Sequence, residues 1–120
     1  MPELITNTKN HCLKLQSDGI TRYTTILEIV YLKSEGNYTI IILNDLSQYT
    51  MRKTLLNFET VLGRLFLRCH RTFLVNPVFI KEINTRHHQI LLTTGETIPY
   101  SRNKARILDE KMIIKTALTY

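Results

Sequence analysis

The chain has 120 residues, 16 Lys and Arg against 10 Asp and Glu, a formal charge of +6 and two cysteines. We expect one domain with a real core and no separate sensor or catalytic domain in these residues. No apolar run approaches the ~18 residues of a membrane span, no signal peptide is present, and the cysteines lack zinc-finger spacing. The composition predicts a cytoplasmic protein with reduced thiols, no membrane association and no cofactor.

The positive charge is concentrated in one part of the chain. Residues 1–50 hold four Lys/Arg and five Asp/Glu, residues 51–80 hold five and one, and residues 81–120 hold seven and four. The excess therefore lies after Met51. Basic asymmetry of this kind favours an anionic partner such as nucleic acid.

The first half of the chain has the pattern of short strands broken by turns. Residues 1–10 lack periodicity and are expected to form a loose lead-in. Two hairpins are predicted after it, because β-rich runs flank turn residues at Ser17-Asp18-Gly19 and at Asn44 to Ser47. The runs are His11 to Gln16, Ile20 to Thr25, Ile29 to Leu32, Tyr38 to Leu43 and Gln48 to Arg52.

The second half contains two predicted helices among further strands. Thr54 to Leu62 carries apolar residues at helical spacing, with Thr54 as N-cap and Gly63 just past the end. Strands are expected around Leu65 to Leu67, Phe73 to Val75, Val78 to Ile83, Gln89 to Thr93 and Thr97 to Tyr100. Ser101 is expected to cap a last helix from Arg102, with Ala105, Leu108 and Met112 on its apolar face. The fold class is therefore mostly β, with one inserted and one terminal helix.

The most unusual segment runs from Phe66 to Pro77. Its two apolar runs enclose Arg68-Cys69-His70-Arg71-Thr72, which are expected to reach the surface together at a bend. In one interpretation Arg68 and Arg71 pair with phosphates or guanine edges, as the guanidinium fork allows. In the other they are solvated loop residues, and Cys69 is a small buried hydrophobe.

Three other segments combine turns or helix starts with polar side chains. Asn37-Tyr38 follows Gly36 and offers an amide and a phenol to a base or a phosphate; alternatively Asn37 fills a left-handed turn position and Tyr38 packs on the core. Ser101 to Lys104 and Arg52-Lys53-Thr54 each place cations and a hydroxyl at a helix start, which suits phosphate binding. The alternative is that these residues only cap and solvate the helices.

No catalytic pattern is present in the sequence. The four histidines do not make H-x-x-x-H, and adjacent Cys69 and His70 would point to opposite faces of a strand. There is no G-x-S-x-G motif and no phosphate-binding glycine loop. We therefore expect a protein that is not an enzyme.

Taken together, these segments resemble the LytTR DNA-binding domain of the AlgR/AgrA/LytR family of bacterial transcription regulators. The likeness rests on Ile29 to Tyr38, Arg52 to Leu55, the Arg68-Cys69-His70-Arg71-Thr72 block through Val75-Asn76-Pro77, and Gly95 to Arg102. It extends over nearly the whole chain and gives a domain at residues 11–116, with a tail at 117–120.

The resemblance implies an elongated fold of about ten short, mainly antiparallel strands whose loops enter the major groove. It implies promoter direct repeats of double-stranded DNA as target, with a second copy of the chain bound beside the first. It assigns base reading to Asn37 or Tyr38, and to His70, Arg71 and Arg102. It assigns DNA backbone contacts to Arg52, Lys53, Thr54, Arg68, Thr72, Ser101, Asn103 and Lys104.

Several alternatives stay open at this stage. The chain is either a stand-alone regulator or the output domain of a response regulator in a two-component system, controlled by a receiver domain and a sensor kinase. The same basic loops could instead grip an acidic protein partner. A third hypothesis makes Cys69 a redox-sensitive thiol, whose pKa is lowered by Arg68, His70 and Arg71.

Overall fold

A computed structural model describes residues 4–6 and 11–119 of the chain. Within them the chain forms eleven strands and two α-helices, with short 3-10 turns between some of them. The strands are β1 Leu4–Thr6, β2 His11–Ser17, β3 Ile20–Thr25, β4 Ile29–Glu35, β5 Tyr38–Leu43, β6 Gln48–Met51, β7 Leu67–His70, β8 Phe73–Val75, β9 Ile80–Asn84, β10 Gln89–Leu92 and β11 Thr97–Pro99. The helices are α1 Leu55–Leu62 and α2 Ala105–Thr119.

The strands form three antiparallel sheets. The central sheet has five strands in the order β6-β5-β4-β8-β7, and the two outer sheets have the orders β1-β2-β3 and β11-β10-β9. The predicted fold class is confirmed, because small antiparallel sheets dominate and the two helices lie where the sequence pattern placed them.

The centre of the five-stranded sheet, around the first half of β4, is buried on both faces. Alternate side chains of a strand point to opposite faces, so neighbours such as Tyr31 and Leu32 enter different cores. On one face, Leu32 packs in a cluster with residues of β2 and α1. On the other, Tyr31 packs in a cluster with residues of β9 to β11 and with Leu108 of α2. This double burial explains why β4 begins with four consecutive apolar residues rather than an alternating pattern.

Residues with positive φ allow the tight turns of two hairpins. Asp18 and Gly19 both have positive φ, 53° and 77°, as a two-residue turn between twisted strands requires. Gly36 has φ 60° in the turn between β4 and β5. Asn37 is not among the residues with positive φ, so the left-handed position considered for it is taken by Gly36 instead.

The capping prediction for α1 is confirmed. The backbone N–H of Asn57 donates to the Thr54 hydroxyl at 3.2 Å, and Gly63 ends the helix with φ 57°. Leu55, Phe58 and Leu62 are the buried residues of this helix, at the predicted spacing. Neither helix of the described residues combines the length and apolarity needed to cross a bilayer.

The chain ends differ from the expectation. Part of the loose lead-in, Leu4–Thr6, is a strand that pairs with β2; the rest of residues 1–10 lies outside the described residues. Residues 102–104 form a 3-10 turn and α2 begins at Ala105. The Ser101 side chain makes no capping hydrogen bond, so that prediction is wrong. Ala105 is exposed, and α2 continues through most of the expected tail to Thr119.

Candidate nucleic-acid interface

Two predicted functional turns lie at the same end of the central sheet. The turn after β4 precedes Tyr38 at the start of β5, and the turn after β7 precedes Phe73 at the start of β8. Lys33 of β4 pairs with Phe73 of β8, so the two turns belong to adjacent strands. The loop end of the sheet is our name for this end of the strands. It comprises residues 36–38, 52–54, 70–72 and 101–104.

Hydrogen bonds attach three of these segments to strands of the central sheet. The Ser34 N–H donates to the Thr72 carbonyl at 2.9 Å, which joins the third segment to β4 two residues before the first segment begins. The buried Thr39 hydroxyl donates to the Lys53 carbonyl at 2.7 Å, which holds the second beside β5. The Ser101 N–H donates to the Cys69 carbonyl at 2.8 Å, which joins the fourth to β7. Segments separated by up to about 65 residues in the chain therefore form one surface.

Several side chains of this surface have no hydrogen-bond or ion-pair partner among the described residues. Arg71 and Arg102 are exposed, and their guanidinium groups make no hydrogen bond or ion pair in the part of the chain that the structure describes. Asn37, Arg52 and Asn103 are exposed as well, and Tyr38 is 46% exposed. Because solvated guanidinium and amide groups keep all their donors, these groups are available to an external ligand.

His70 and Thr72 support each other across the turn. The Thr72 N–H donates to His70 Nδ1 at 3.2 Å, and the Thr72 hydroxyl lies 2.9 Å from the same nitrogen. Since Nδ1 accepts, this network assigns the proton of the neutral ring to Nε2. Both side chains are half-buried, and His70 also stacks edge-on against Phe73 at 6.0 Å between centroids.

Other residues predicted to contact the DNA backbone take part in hydrogen bonds within the protein or are half-buried. The Thr54 hydroxyl caps α1, and the Lys53 carbonyl is held by Thr39. Lys53, Ser101 and Lys104 are half-buried, whereas Thr54 is exposed. These residues therefore lie at the loop end, but they offer less free surface than Arg71 and Arg102 do.

Arg68 differs most from the expected free cation. Its side chain is 23% exposed and forms an ion pair with Glu59 of α1 at 2.8 Å. The same guanidinium donates to the carbonyls of His70 and Arg71, at 3.1 and 2.5 Å. Arg68 is therefore bound to its own hairpin and does not project from it.

Cys69 is a buried thiol. Its side chain is 0% exposed and lies within sulfur hydrogen-bond distance of the Phe73 and Pro99 carbonyls. Burial raises the pKa of this thiol to about 12, despite the opposing effect of Arg68 and Lys104. The redox hypothesis required a lowered pKa and is wrong on this point, because desolvation outweighs the nearby cations. The small-hydrophobe interpretation of Cys69 is the correct one.

The family follows from comparison with known proteins. The model of the LytTr DNA-binding domain matches residues 21–113. This chain belongs to the LytTR DNA-binding domain family. The sensory transduction protein LytT of Enterococcus faecalis is 33% identical over 94 residues, which are 75% of this chain and 39% of that protein. The chain thus spans about two fifths of the length of that relative.

The fold comparison agrees with the family. A LytTr DNA-binding domain from Bacillus cereus superimposes with a TM-score of 0.73 at 25% identity, covering 85% of this chain and 95% of that domain. The family is one of DNA-binding domains of transcription regulators rather than of enzymes. The resemblance inferred from the sequence is thereby confirmed.

Some residues of this LytTR domain contribute to the site although no sequence pattern predicts it. Glu59 was taken only as a helix residue, yet it holds Arg68; no local pattern links two residues that meet through tertiary packing. Gln16 was assigned to a strand, and Ser17 and Asp18 to the turn that follows it, but all three line one surface groove together with Tyr38, Arg52 and Lys53. An alternation of apolar residues predicts the hairpin, but it does not predict which other segments the hairpin packs against.

Proposed function

We propose that this LytTR domain binds double-stranded DNA with sequence specificity by inserting the turns of its loop end into the major groove, and so regulates transcription. The observation that carries the proposal is the convergence of four separate polar segments at one end of a rigid sheet. Side chains held by a β scaffold can reach base edges in fixed geometry. The excess of positive charge after Met51 supports the same conclusion, since it favours phosphates.

We assign the roles within the site from the family resemblance, and the exposure of Arg71 and Arg102 supports the assignment. Arg71 and Arg102 read bases, because each carries a guanidinium with no partner in residues 4–6 and 11–119, and such a group can bond bidentately to guanine O6 and N7. His70 and either Asn37 or Tyr38 contribute further base contacts. The DNA backbone is contacted by Arg52, Lys53, Thr54, Thr72, Ser101, Asn103 and Lys104.

We propose the partners by analogy with the family and the relative LytT. Two copies of the domain bind neighbouring direct repeats in a promoter, in the cytoplasm. The relative LytT is named a sensory transduction protein. By analogy, the domain acts as an output module whose activity is set by a receiver domain and a sensor kinase.

The test is selection of bound duplexes from a random DNA pool, followed by competition of the selected duplex against random duplex at several salt concentrations. We expect one enriched motif, repeated at a fixed spacing. The logarithm of the binding constant should fall with the logarithm of salt concentration by about 0.9 per neutralised phosphate. If no motif is enriched and random duplex competes equally at low salt, the proposal is wrong and an acidic protein partner is favoured.

A further inference from the structure

Arg68 spans the base-reading turn and fastens it to α1. Its Nε and one terminal nitrogen donate to the carbonyls of His70 and Arg71, while the other terminal nitrogen pairs with Glu59 at 2.8 Å. The guanidinium is planar and rigid, so three bonds in three directions fix its position. Glu59 belongs to the helix that packs under the sheet, and it is the anchor of this arrangement.

The turn needs such a tie because its strand pairing is irregular. Arg68 pairs with Leu74 and His70 pairs with Phe73, so Cys69 is an extra residue in β7. A bulge of this kind breaks the ladder and leaves backbone groups without a cross-strand partner. The carbonyls of His70 and Arg71 instead accept from Arg68, and the Cys69 carbonyl accepts from Ser101.

We propose that Arg68 is a positioning residue for base recognition, held by Glu59, and that it acts through the backbone of Arg71 rather than by contacting DNA phosphate. The proposal rests on the proposed function of the loop end. It replaces the backbone contact predicted for Arg68 from the sequence. A phosphate contact would have to compete with Glu59, which already neutralises the guanidinium at short range.

The two roles predict different binding data. A phosphate contact contributes to every duplex alike, and its loss lowers the salt slope by about one. A positioning residue contributes only where Arg71 reads a base, so its loss broadens the preference at that base pair. The salt slope and the affinity for random duplex then stay unchanged.

The experiment measures binding of the selected duplex, of its single-base variants and of random duplex, for the wild-type chain and Arg68→Ala. We expect about tenfold weaker binding of the selected duplex, with lost preference at the base pair that Arg71→Ala also affects. Binding of random duplex should change less than twofold. In the Arg71→Ala background, Arg68→Ala should cause no further loss of preference, because it acts through the same side chain.

Arg22→Ala is the matched control. Arg22 is 30% exposed and makes ion pairs with Glu28 and Asp45 at the opposite end of the central sheet, so its loss also removes one internally bonded guanidinium. We expect its base preferences to match those of the wild type. Glu59→Gln should partly relax the preference at the base pair that Arg71 reads. Arg68→Lys should keep part of the preference that Arg68→Ala loses there. If Arg68→Ala fails to fold, which thermal melts would reveal, these two variants decide the question.

Other outcomes overturn the proposal. A uniform loss of affinity with a salt slope smaller by one would make Arg68 a phosphate contact. An unchanged base profile in Arg68→Ala and Glu59→Gln would remove the positioning role and leave the proposed function standing. No base preference in the wild-type chain would instead overturn the proposed function, and this inference with it.

Discussion

Asn76 is a buried amide that joins three parts of the molecule. It is 3% exposed, its Nδ2 donates to the Ile29 carbonyl at 3.0 Å, and its Oδ1 accepts from the Val78 N–H at 3.1 Å. Its own N–H donates to the Val30 carbonyl at 2.9 Å. The amide thus satisfies backbone groups at the bulge of β4 and caps the 3-10 turn that follows β8. Such a group is costly to remove, because the buried Ile29 carbonyl loses the hydrogen bond that the Asn76 side chain donates to it.

Asn76→Ala should lower the free energy of unfolding by about 2 kcal/mol, since the buried Ile29 carbonyl loses its hydrogen-bond donor. Urea unfolding followed by circular dichroism measures the change. Asn76→Asp is the informative companion, because it retains the acceptor for Val78 but cannot donate to Ile29 at neutral pH. A stability of Asn76→Ala equal to that of the wild type would contradict the bridging role.

Cys69 illustrates how burial overrides neighbouring charge. The sequence shows Arg68, His70 and Arg71 beside the thiol, and such neighbours lower a thiol pKa when the sulfur is exposed. The strand turns the Cys69 side chain into the core instead, where desolvation favours the neutral form. Sequence adjacency was therefore a poor guide to the environment of this side chain.

The folded chain should be alkylated at Cys69 at least about 100-fold more slowly than a model thiol near pH 8, because little thiolate forms and access is blocked. Mass spectrometry of peptides after timed iodoacetamide treatment gives the rate. Denatured protein provides the control, in which the slow reaction should disappear. A rate at Cys69 equal to that of the model thiol would show that the buried environment is wrong.

At the scale of elements, Arg22 fastens the β2-β3 hairpin to the turn between β5 and β6. Its guanidinium pairs with Asp45 at 3.1 Å and donates to the Ser47 hydroxyl at 3.0 Å. Hydrogen bonds from the Ser47 side chain and backbone, together with Arg22, lower the pKa of Asp45 to about 2. The carboxylate is exposed, so its contribution to stability is modest and sensitive to salt.

This lowered pKa predicts a pH dependence. A carboxylate whose pKa is lower in the folded state stabilises the fold above its unfolded pKa, near 4, and loses that effect as the pH falls towards 2. The stability difference between the wild type and Asp45→Asn should therefore be largest near neutral pH and shrink from about pH 4 to about pH 2. Urea titrations at each pH measure it. A stability difference that does not depend on pH would contradict the assignment.

The hairpins and the helices could be predicted because their signals are local. Asp18-Gly19 and Gly36 supply the positive φ that their turns require, and Thr54 lies next to the helix that it caps. Non-local contacts could not be predicted in this way. The pairing of β4 with β8 brings Lys33 opposite Phe73, and nothing in either segment specifies the other. The fold class was therefore accessible from the sequence, whereas the assembly of the loop end was not.

The candidate site was partly accessible for the same reason. Arg71 and Arg102 follow apolar strands at turns, and their exposure agrees with that position. Arg68 has the same charge but begins the bulged part of β7, where its guanidinium meets Glu59 and two carbonyls. Residue type and spacing could not separate these two situations, because the partner lies on another element.

At the scale of the whole molecule, the packed core and the proposed DNA-binding residues lie in different parts of the domain. The domain measures 41 × 34 × 24 Å, with the centre of the five-stranded sheet buried on both faces. The loop end carries the exposed cations Arg52, Arg71 and Arg102. If these cations contact phosphates as proposed, DNA binding should weaken as the salt concentration rises.

The most direct test of this account is the single-base preference profile of the selected duplex, measured for the wild type, Arg71→Ala, Arg102→Ala and the exposed control Lys81→Ala. Each of the first two variants should lose about 1–3 kcal/mol of binding free energy and relax the preference at its own base pair, whereas Lys81→Ala keeps the wild-type profile. Profiles of Arg71→Ala and Arg102→Ala that match the wild type at every position would contradict base reading by the loop end.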